Sequence, residues 1–133
     1  MTNKTEVSDQ ELKKVIADFL DLGHVDNIVA LFRREPHYYE WTGEILQDER
    51  FSVRLGLSVL FEELEQIQPE KLPLAIPSLL KILHSEESLL RGEAVSLLGI
   101  IGTDLALTHV RELRNDENHQ VREVVELVLE ESC

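Results

Sequence analysis

Apolar residues recur every three or four positions along almost the whole chain, the spacing that places side chains on one face of an α-helix. An early run comprises Leu12, Val15, Ile16, Phe19 and Leu20, and a late run comprises Val121, Val124, Val125, Val128 and Leu129. No segment alternates cleanly between apolar and polar residues, as a half-buried strand would. The pattern therefore predicts an all-α protein.

Start and stop signals divide this pattern into eight helices with short links. Ser8 and Glu11 have the spacing of a capping box, Gly23 is a helix stop, and Pro36 cannot continue a helix. The predicted helices span residues 9–22, 25–34, 38–47, 50–68, 72–84, 87–101, 104–114 and 118–131.

An arginine that follows an aliphatic residue recurs at spacings of 37 and 31 residues. The recurring pairs are Val53-Arg54, Leu90-Arg91 and Val121-Arg122. Six residues before each arginine stand Asp48, Ser85 and Asp116. A period of this size with two helices per unit is typical of an α-solenoid, in which each helix pair buries its apolar face by stacking on its neighbours.

One unit carries a specific pattern over residues 76–101. Its first helix contains Pro77 within Ile-Pro-Ser-Leu-Leu-Lys-Ile-Leu, and its second contains Arg91 and small residues within Leu-Arg-Gly-Glu-Ala-Val-Ser-Leu-Leu-Gly-Ile-Ile. This unit resembles a HEAT repeat, and the 31-residue spacing is similar to the compact type found in phycobilisome lyases. The resemblance implies a right-handed α-α superhelix of about four helical pairs.

We therefore expect residues 1–133 to form a single HEAT-like repeat domain. Residues 1–8 are predicted to be flexible, and residues 9–35 to form a degenerate first pair. Repeats are expected at 37–68, 69–102 and 103–131. Glu126, flanked by Arg122 and Glu130, predicts a polar outer face that ends the array at the fourth unit.

The charge of the chain restricts its partners. The 26 acidic and 13 basic residues give a formal net charge of −13, which repels nucleic acids and anionic lipid surfaces. No 18-residue run is free of charge, and the start of the chain lacks the apolar core of a signal peptide. The single cysteine, Cys133, cannot form an internal disulfide. We expect a cytoplasmic protein with no nucleic-acid or membrane partner.

Catalytic motifs are missing from the sequence. It has no Gly-x-Ser-x-Gly, no P-loop and no glycine fingerprint after a strand. The deoxyhypusine hydroxylases, which have similar repeats, hold iron with His-Glu dipeptides, but no histidine here precedes a glutamate. The histidines are His24, His37, His84, His109 and His119. We expect no catalytic site, no metal and no cofactor.

The repeated aspartates and arginines have a structural interpretation. In HEAT-like stacks such residues form ladders between adjacent repeats, and this is the role expected here for Asp48, Arg54, Arg91, Asp116 and Arg122. Glu93 falls inside the apolar stripe of its helix, where an unpaired carboxylate would be costly to bury. It should therefore pair with an arginine of the ladder, either Arg54 or Arg122.

On helical wheels, the second helices of the three repeats share an apolar position outside the core stripe. This predicted seam consists of Leu55, Val59, Ser96, Ile100 and Leu127, with an acidic rim of Glu62, Glu63, Glu123 and Glu131. The resemblance implies that second helices line the concave face of the array, where a partner would bind. The alternative is that scattered exposed aliphatic residues need no functional explanation.

The aromatic residues Tyr38, Tyr39 and Trp41 cluster at the start of the second unit. Either they pack between the first pair and the second unit, or they form a secondary partner-binding surface, since such residues favour interface hot spots.

The expected function is that of a monomeric, non-catalytic interaction module that binds a protein or peptide with basic and aliphatic residues. One alternative is an accessory subunit or lyase-like factor that presents a tetrapyrrole or similar group to a client. A second alternative, a HEAT-like DNA glycosylase, needs a basic groove and is disfavoured by the acidic composition.

Overall fold

Helices account for most of residues 8–132, the part of the chain described by the computed structural model. Eight α-helices lie in this range: α1 (Asp9–Asp21), α2 (Val25–Arg34), α3 (Thr42–Leu46), α4 (Phe51–Ile67), α5 (Ile76–Ile82), α6 (Ser88–Ile101), α7 (Asp104–Arg111) and α8 (His119–Glu131). Two 3₁₀ segments, Pro36–Trp41 and Pro69–Ala75, lead into α3 and α5. No strand occurs within residues 8–132, and the predicted all-α, HEAT-like solenoid class is confirmed.

The predicted capping box begins α1. The Ser8 hydroxyl accepts a hydrogen bond from the Glu11 amide, and the Glu11 carboxylate accepts one from the Ser8 amide, both at 3.1 Å. Gly23 follows the helix with φ of 85°, a left-handed conformation that favours glycine. Ser8 was included in the segment predicted to be flexible, but it caps α1. The rest of that segment, residues 1–7, lies outside the described residues, as does Cys133.

Three helices differ from their predicted bounds by more than one residue at an end, for local reasons. Residues 38–47 and 72–84 were each predicted as one α-helix, but each begins as a 3₁₀ segment that contains proline. Pro36, Pro69 and Pro73 have no amide hydrogen to donate to an earlier carbonyl, so these residues add no α-helical hydrogen bond. Helix α7 ends at Arg111 rather than at residue 114, because the following amides bond three residues back, as in Leu113 N to Val110 O at 3.0 Å.

The helices stack in two rows. Helix α4 packs against α6, and α6 packs against α8, so the second helices of the three repeats form one row. In the other row, α3 packs against α5. Gly92 faces Val124 and Gly99 faces Val128, which shows that α6 and α8 run parallel. Helices α1 and α2 both pack against α4 and add a further pair at that end.

One core runs through all of these layers. Buried residues extend from Ile16 and Phe32 in the first pair, through Phe61 in α4, to Val95 and Val125 in the last two layers. Neighbouring pairs share this core, because α4 packs against α6 and α6 packs against α8. The fold therefore depends on stacking, as the repeat pattern predicted.

Of the two interpretations of the aromatic cluster, packing between the first pair and the second unit agrees with the burial of Tyr38 and Tyr39. Tyr38 and Tyr39 are buried, and the Tyr39 ring lies edge-on to Phe32 with centroids 5.0 Å apart. The Tyr39 hydroxyl accepts a hydrogen bond from Gln68 Nε2 at 2.7 Å. Burial raises the pKa of the Tyr39 hydroxyl above its usual value. These aromatic rings join the first pair to the second unit, and only Trp41 of the three remains partly exposed.

Candidate functional site

Each repeated arginine is fixed to the turn that precedes its own helix. Arg54 donates to the carbonyl of Asp48 at 2.8 Å, Arg91 to that of Ser85 at 2.9 Å, and Arg122 to that of Asp116 at 2.6 Å. The six-residue spacing seen in the sequence thus corresponds to one recurring contact. It satisfies a turn carbonyl with a charged donor, which makes a stronger hydrogen bond than a neutral donor.

Two of these arginines also reach the next unit. Arg54 Nε lies 3.3 Å from Glu93 Oε2, which joins α4 to α6 and supplies the partner that Glu93 needs. Arg91 makes two hydrogen bonds of 2.9 Å to the Asp116 carboxylate, with only 9% and 10% of the two side chains exposed. The hydrogen bonds from Arg91 hold the pKa of the Asp116 carboxyl below its ordinary value.

The remaining ladder candidates lie elsewhere. Asp48 accepts hydrogen bonds from Arg50 in its own turn, with Nε at 3.0 Å, and Arg50 reaches back to Asp18 and Asp21 of α1. Arg122 contacts the Asp116 carbonyl and not Glu93. Sequence reasoning missed Arg50, because its partners in α1 lie about 30 residues away and no repeated spacing links them.

A groove crosses the row formed by α4, α6 and α8. Its larger part is a cavity of about 560 Å³ at the C-terminal half of these helices. A smaller cavity of about 290 Å³ shares Ser96 and Val124 with it and extends along α6 to Leu89 and Gly92. We call the two cavities together the α6 groove. The larger cavity is lined by Ser58, Glu62 and Glu65 of α4, Ser96, Gly99 and Ile100 of α6, and Val124, Leu127, Val128, Glu131 and Ser132 near and along α8.

The structure places part of the predicted seam in this groove and the rest outside it. The larger cavity brings together Glu62, Ser96, Ile100, Leu127 and Glu131. Neither cavity is lined by Leu55, Val59, Glu63 or Glu123. Equal angles on a helical wheel predict a shared surface only when all three helices turn the same side toward a ligand. In this row α6 forms the floor, whereas α4 and α8 form opposite walls and present opposite flanks to it.

Those excluded residues still lie on the protein surface. Leu55 and Val59 are 52% and 37% exposed on the outer side of α4, and Glu123 pairs with His119 at 3.2 Å on α8. The wall residues of the larger cavity that were not predicted from the sequence are Ser58, Glu65, Val124, Val128 and Ser132. Gly99 is the sequence feature that could have indicated these residues. A Cβ there would lie 2.8 Å from Val128, so glycine allows α8 to approach α6 closely, and this contact sets the rotation of both helices.

The groove offers apolar surface and negative charge. Leu127 and Leu89 are 58% and 57% exposed, so their apolar surface is accessible to a ligand. Among residues 8–132, Glu62, Glu65 and Glu131 form no ion pair, whereas Glu93 is paired with Arg54. The larger cavity therefore combines exposed apolar atoms with uncompensated carboxylates.

Neither a metal site nor a membrane span is found in the described part of the chain. Residues 8–132 contain no group of three or more His, Cys, Asp or Glu side chains placed to hold a metal ion. Three histidines lie beside glutamates: His37 near Glu35, His109 near Glu112 and His119 near Glu123. Within the same residues, none of the helices has the length and apolar character needed to cross a bilayer.

A family model for HEAT repeats matches residues 40–130. The chain belongs to the HEAT-repeat family. HEAT repeats generally serve as protein-interaction scaffolds, and the family is typically non-catalytic. The match covers nearly all of the three predicted HEAT repeats and leaves α1 and α2 outside, so their status as a degenerate repeat stays a prediction. No curated protein and no solved structure matched the chain.

Proposed function

We propose that this chain is a non-catalytic HEAT-repeat adaptor that binds a segment of a partner protein in the α6 groove. The observation that supports this most directly is the cavity of about 560 Å³ that crosses α4, α6 and α8 and is lined in part by the exposed Leu127. A groove of this kind can bury aliphatic side chains of a ligand, and burial of apolar area is the main source of affinity in such complexes.

The walls of the groove are held in place before any partner binds. The Arg54–Glu93 pair joins α4 to α6, and the Arg91–Asp116 pair joins α6 to the turn that begins α8. A site whose walls are already fixed loses little conformational entropy on binding. This rigidity supports a recognition site rather than a surface that must fold around its ligand.

The charge of the protein suggests the chemistry of the partner. A formal net charge of −13 attracts a basic segment over long distances and increases its association rate. Affinity should therefore fall as salt is added but should not vanish, since the burial of aliphatic anchors is not screened. We propose a partner segment that carries both aliphatic residues and Lys or Arg. No observation in the described residues favours the tetrapyrrole-presenting alternative.

We further propose that the adaptor is cytoplasmic and that it is a monomer whose array ends at α8, and the far side of α8 supports the last two points. A shallow cavity of about 580 Å³ there shares Leu127 with the groove but is otherwise lined mainly by charged side chains, among them Arg114, Arg122, Glu126 and Glu130. Glu126 Oε2 lies 4.0 Å from Arg114 Nε across this surface. Such a polar outer face is what a terminal repeat needs for solubility.

Two leucines allow a matched test of the groove. Leu127 lies in the groove and Leu105 lies on α7 outside it, and both are 58% exposed. Peptides would be selected from a random 12-residue display library on the immobilised wild-type protein. Binding of each enriched peptide would then be measured on Leu127→Asp and Leu105→Asp.

We expect Leu127→Asp to weaken binding at least about tenfold, because it places a charge among the apolar anchors. Leu105→Asp should bind like the wild type, and both variants should keep the wild-type melting temperature within about 2 °C, since neither side chain is buried. Peptides that bind Leu127→Asp with undiminished affinity would show that the groove is not the binding site.

A further inference from the structure

The α6 groove is electrically asymmetric along its length. Helices α4, α6 and α8 run in the same direction, so their C-terminal ends lie at one end of the groove. The last carbonyls of a helix carry a partial negative charge, which favours cations. The larger cavity lies at this end, and the smaller one extends toward the N-terminal half of α6.

The residues of the last helical turns strengthen this asymmetry. Helices α2, α5 and α7 end in the usual way with a basic residue in the last turn: Arg33 and Arg34, Lys81, and His109 with Arg111. Helices α4, α6 and α8 have none, as is also true of α1 and α3 outside the groove. In their place, Glu65 and Glu131 occupy the last turns of α4 and α8, where negative charge is unfavourable.

The two halves of the groove therefore differ in what they can bind. In the N-terminal half, Arg54 compensates the charge of Glu93, and Leu89 and Val121 offer apolar surface. In the C-terminal half, no basic side chain lines the cavity and Glu62, Glu65 and Glu131 converge on it. A ligand with separated apolar and cationic parts would match both halves at once.

We infer that the groove binds a segment in which an aliphatic block and a Lys/Arg block are separate, with the cationic block over Glu62, Glu65 and Glu131. This inference rests on the proposed function and specifies the partner of the same site. From Leu89 to Ile100 the floor of the groove is about 16 Å long at 1.5 Å per helical residue. That length accommodates about five extended residues of a partner.

The test uses two capped, fluorescein-labelled peptides of one composition, measured by fluorescence anisotropy at low and physiological salt. The segregated peptide is Leu-Ile-Gly-Ser-Lys-Arg, and the mixed peptide is Leu-Lys-Gly-Arg-Ser-Ile. We expect the segregated peptide to bind at least about fivefold more tightly, because only it can place both charges at the anionic end while keeping both aliphatic side chains at the other.

A pair of triple variants locates the cationic subsite. Glu62→Gln/Glu65→Gln/Glu131→Gln removes the groove carboxylates, and Glu40→Gln/Glu70→Gln/Glu86→Gln makes the same change of net charge at exposed positions outside it. The groove variant should bind the segregated peptide about tenfold more weakly, whereas the control should change less than about twofold. The groove variant should also melt at a higher temperature than the control, since it removes negative charge from two helix C-termini.

Each result separates this inference from the proposed function. Equal binding of both peptides, together with a loss of binding in Leu127→Asp, would overturn the inference and leave the groove as the binding site. Equal losses in the two triple variants would show that only net charge matters and would also overturn it. The inference would also be overturned if neither peptide bound at about 1 mM, a concentration at which even weak specific binding is seen. The library-selected peptides would then test the proposed function by themselves.

Discussion

Gly43 in α3 lies where the chain of the second unit touches that of the third. Its amide donates a hydrogen bond to Ser78 Oγ of α5 at 2.9 Å. A Cβ added at this position would lie 2.8 Å from the Ser78 carbonyl carbon and closer still to its oxygen, whereas ordinary contacts begin near 3.4 Å. In a closely packed interior, Gly43→Ala would therefore force α3 and α5 apart by roughly 1 Å.

The free-energy cost follows from three contributions. Overpacking a tight contact costs about 1–3 kcal/mol. Weakening the hydrogen bond to Ser78 adds about 1 kcal/mol. Alanine recovers about 1 kcal/mol because it is a better helix former than glycine. The net loss should be about 1–3 kcal/mol, which corresponds to a fall in melting temperature of about 4–12 °C for a chain of this size.

Gly92→Ala is a matched control for this substitution. A Cβ at Gly92 in α6 would meet only Val124 Cγ2, at 4.0 Å, which is an ordinary contact. The change should therefore stabilise the protein by about 0.5–1 kcal/mol through helix propensity alone. Urea denaturation followed by circular dichroism at 222 nm would measure both variants. If Gly43→Ala were as stable as Gly92→Ala, the tight contact between α3 and α5 would not exist.

Two other predictions concern the stack as a whole. The Asp116 carboxyl has a lowered pKa in the folded state, so its ionised form stabilises the fold above about pH 4. This stabilisation is lost as the pH falls further, because the unfolded chain binds the proton at a higher pH than the folded chain does. Asp116→Asn should lower the free energy of unfolding by about 2–3 kcal/mol at pH 7. In denaturant titrations, the difference in free energy of unfolding between wild type and variant should shrink toward pH 2. A difference that did not depend on pH would contradict this account. Deleting residues 103–133 removes α7 and α8 and uncovers the buried Val95 of α6. Melting should then occur at least about 10 °C lower or give way to aggregation, and a monodisperse product with unchanged melting temperature would refute the dependence on stacking.

The fold was largely predictable because its signals are local. The capping pair Ser8 and Glu11, the stop at Gly23 and the three- to four-residue apolar spacing each involve neighbours in sequence. The arginine repeat was predictable for the same reason, since each arginine contacts a carbonyl six residues earlier. The 3₁₀ beginnings of two helices were missed because the apolar spacing does not distinguish tight turns from α-helical ones over such short segments.

The candidate site was predicted only in part, since it depends on how helices rotate against one another. A wheel places Val59 and Leu127 at the same angle, yet only Leu127 lines the groove. The difference is set by contacts across the stack, such as Gly99 against Val128 and Arg54 against Glu93. The burial of Tyr39 was one of two interpretations of its cluster. The sequence could not decide between them, because its partners Phe32 and Phe61 come from helices on either side of it in sequence.

The arginines that bond at two places also determine how the array responds to force. Arg54 and Arg91 each connect a turn of their own unit to a carboxylate of the next, so neighbouring units cannot tilt apart without breaking charged hydrogen bonds at both ends. The joints between units should accordingly be stiff, and the curvature of the array should be nearly fixed. A substitution at either arginine would then let neighbouring units shift against each other. It would change the width of the groove even though the arginine side chain does not line it.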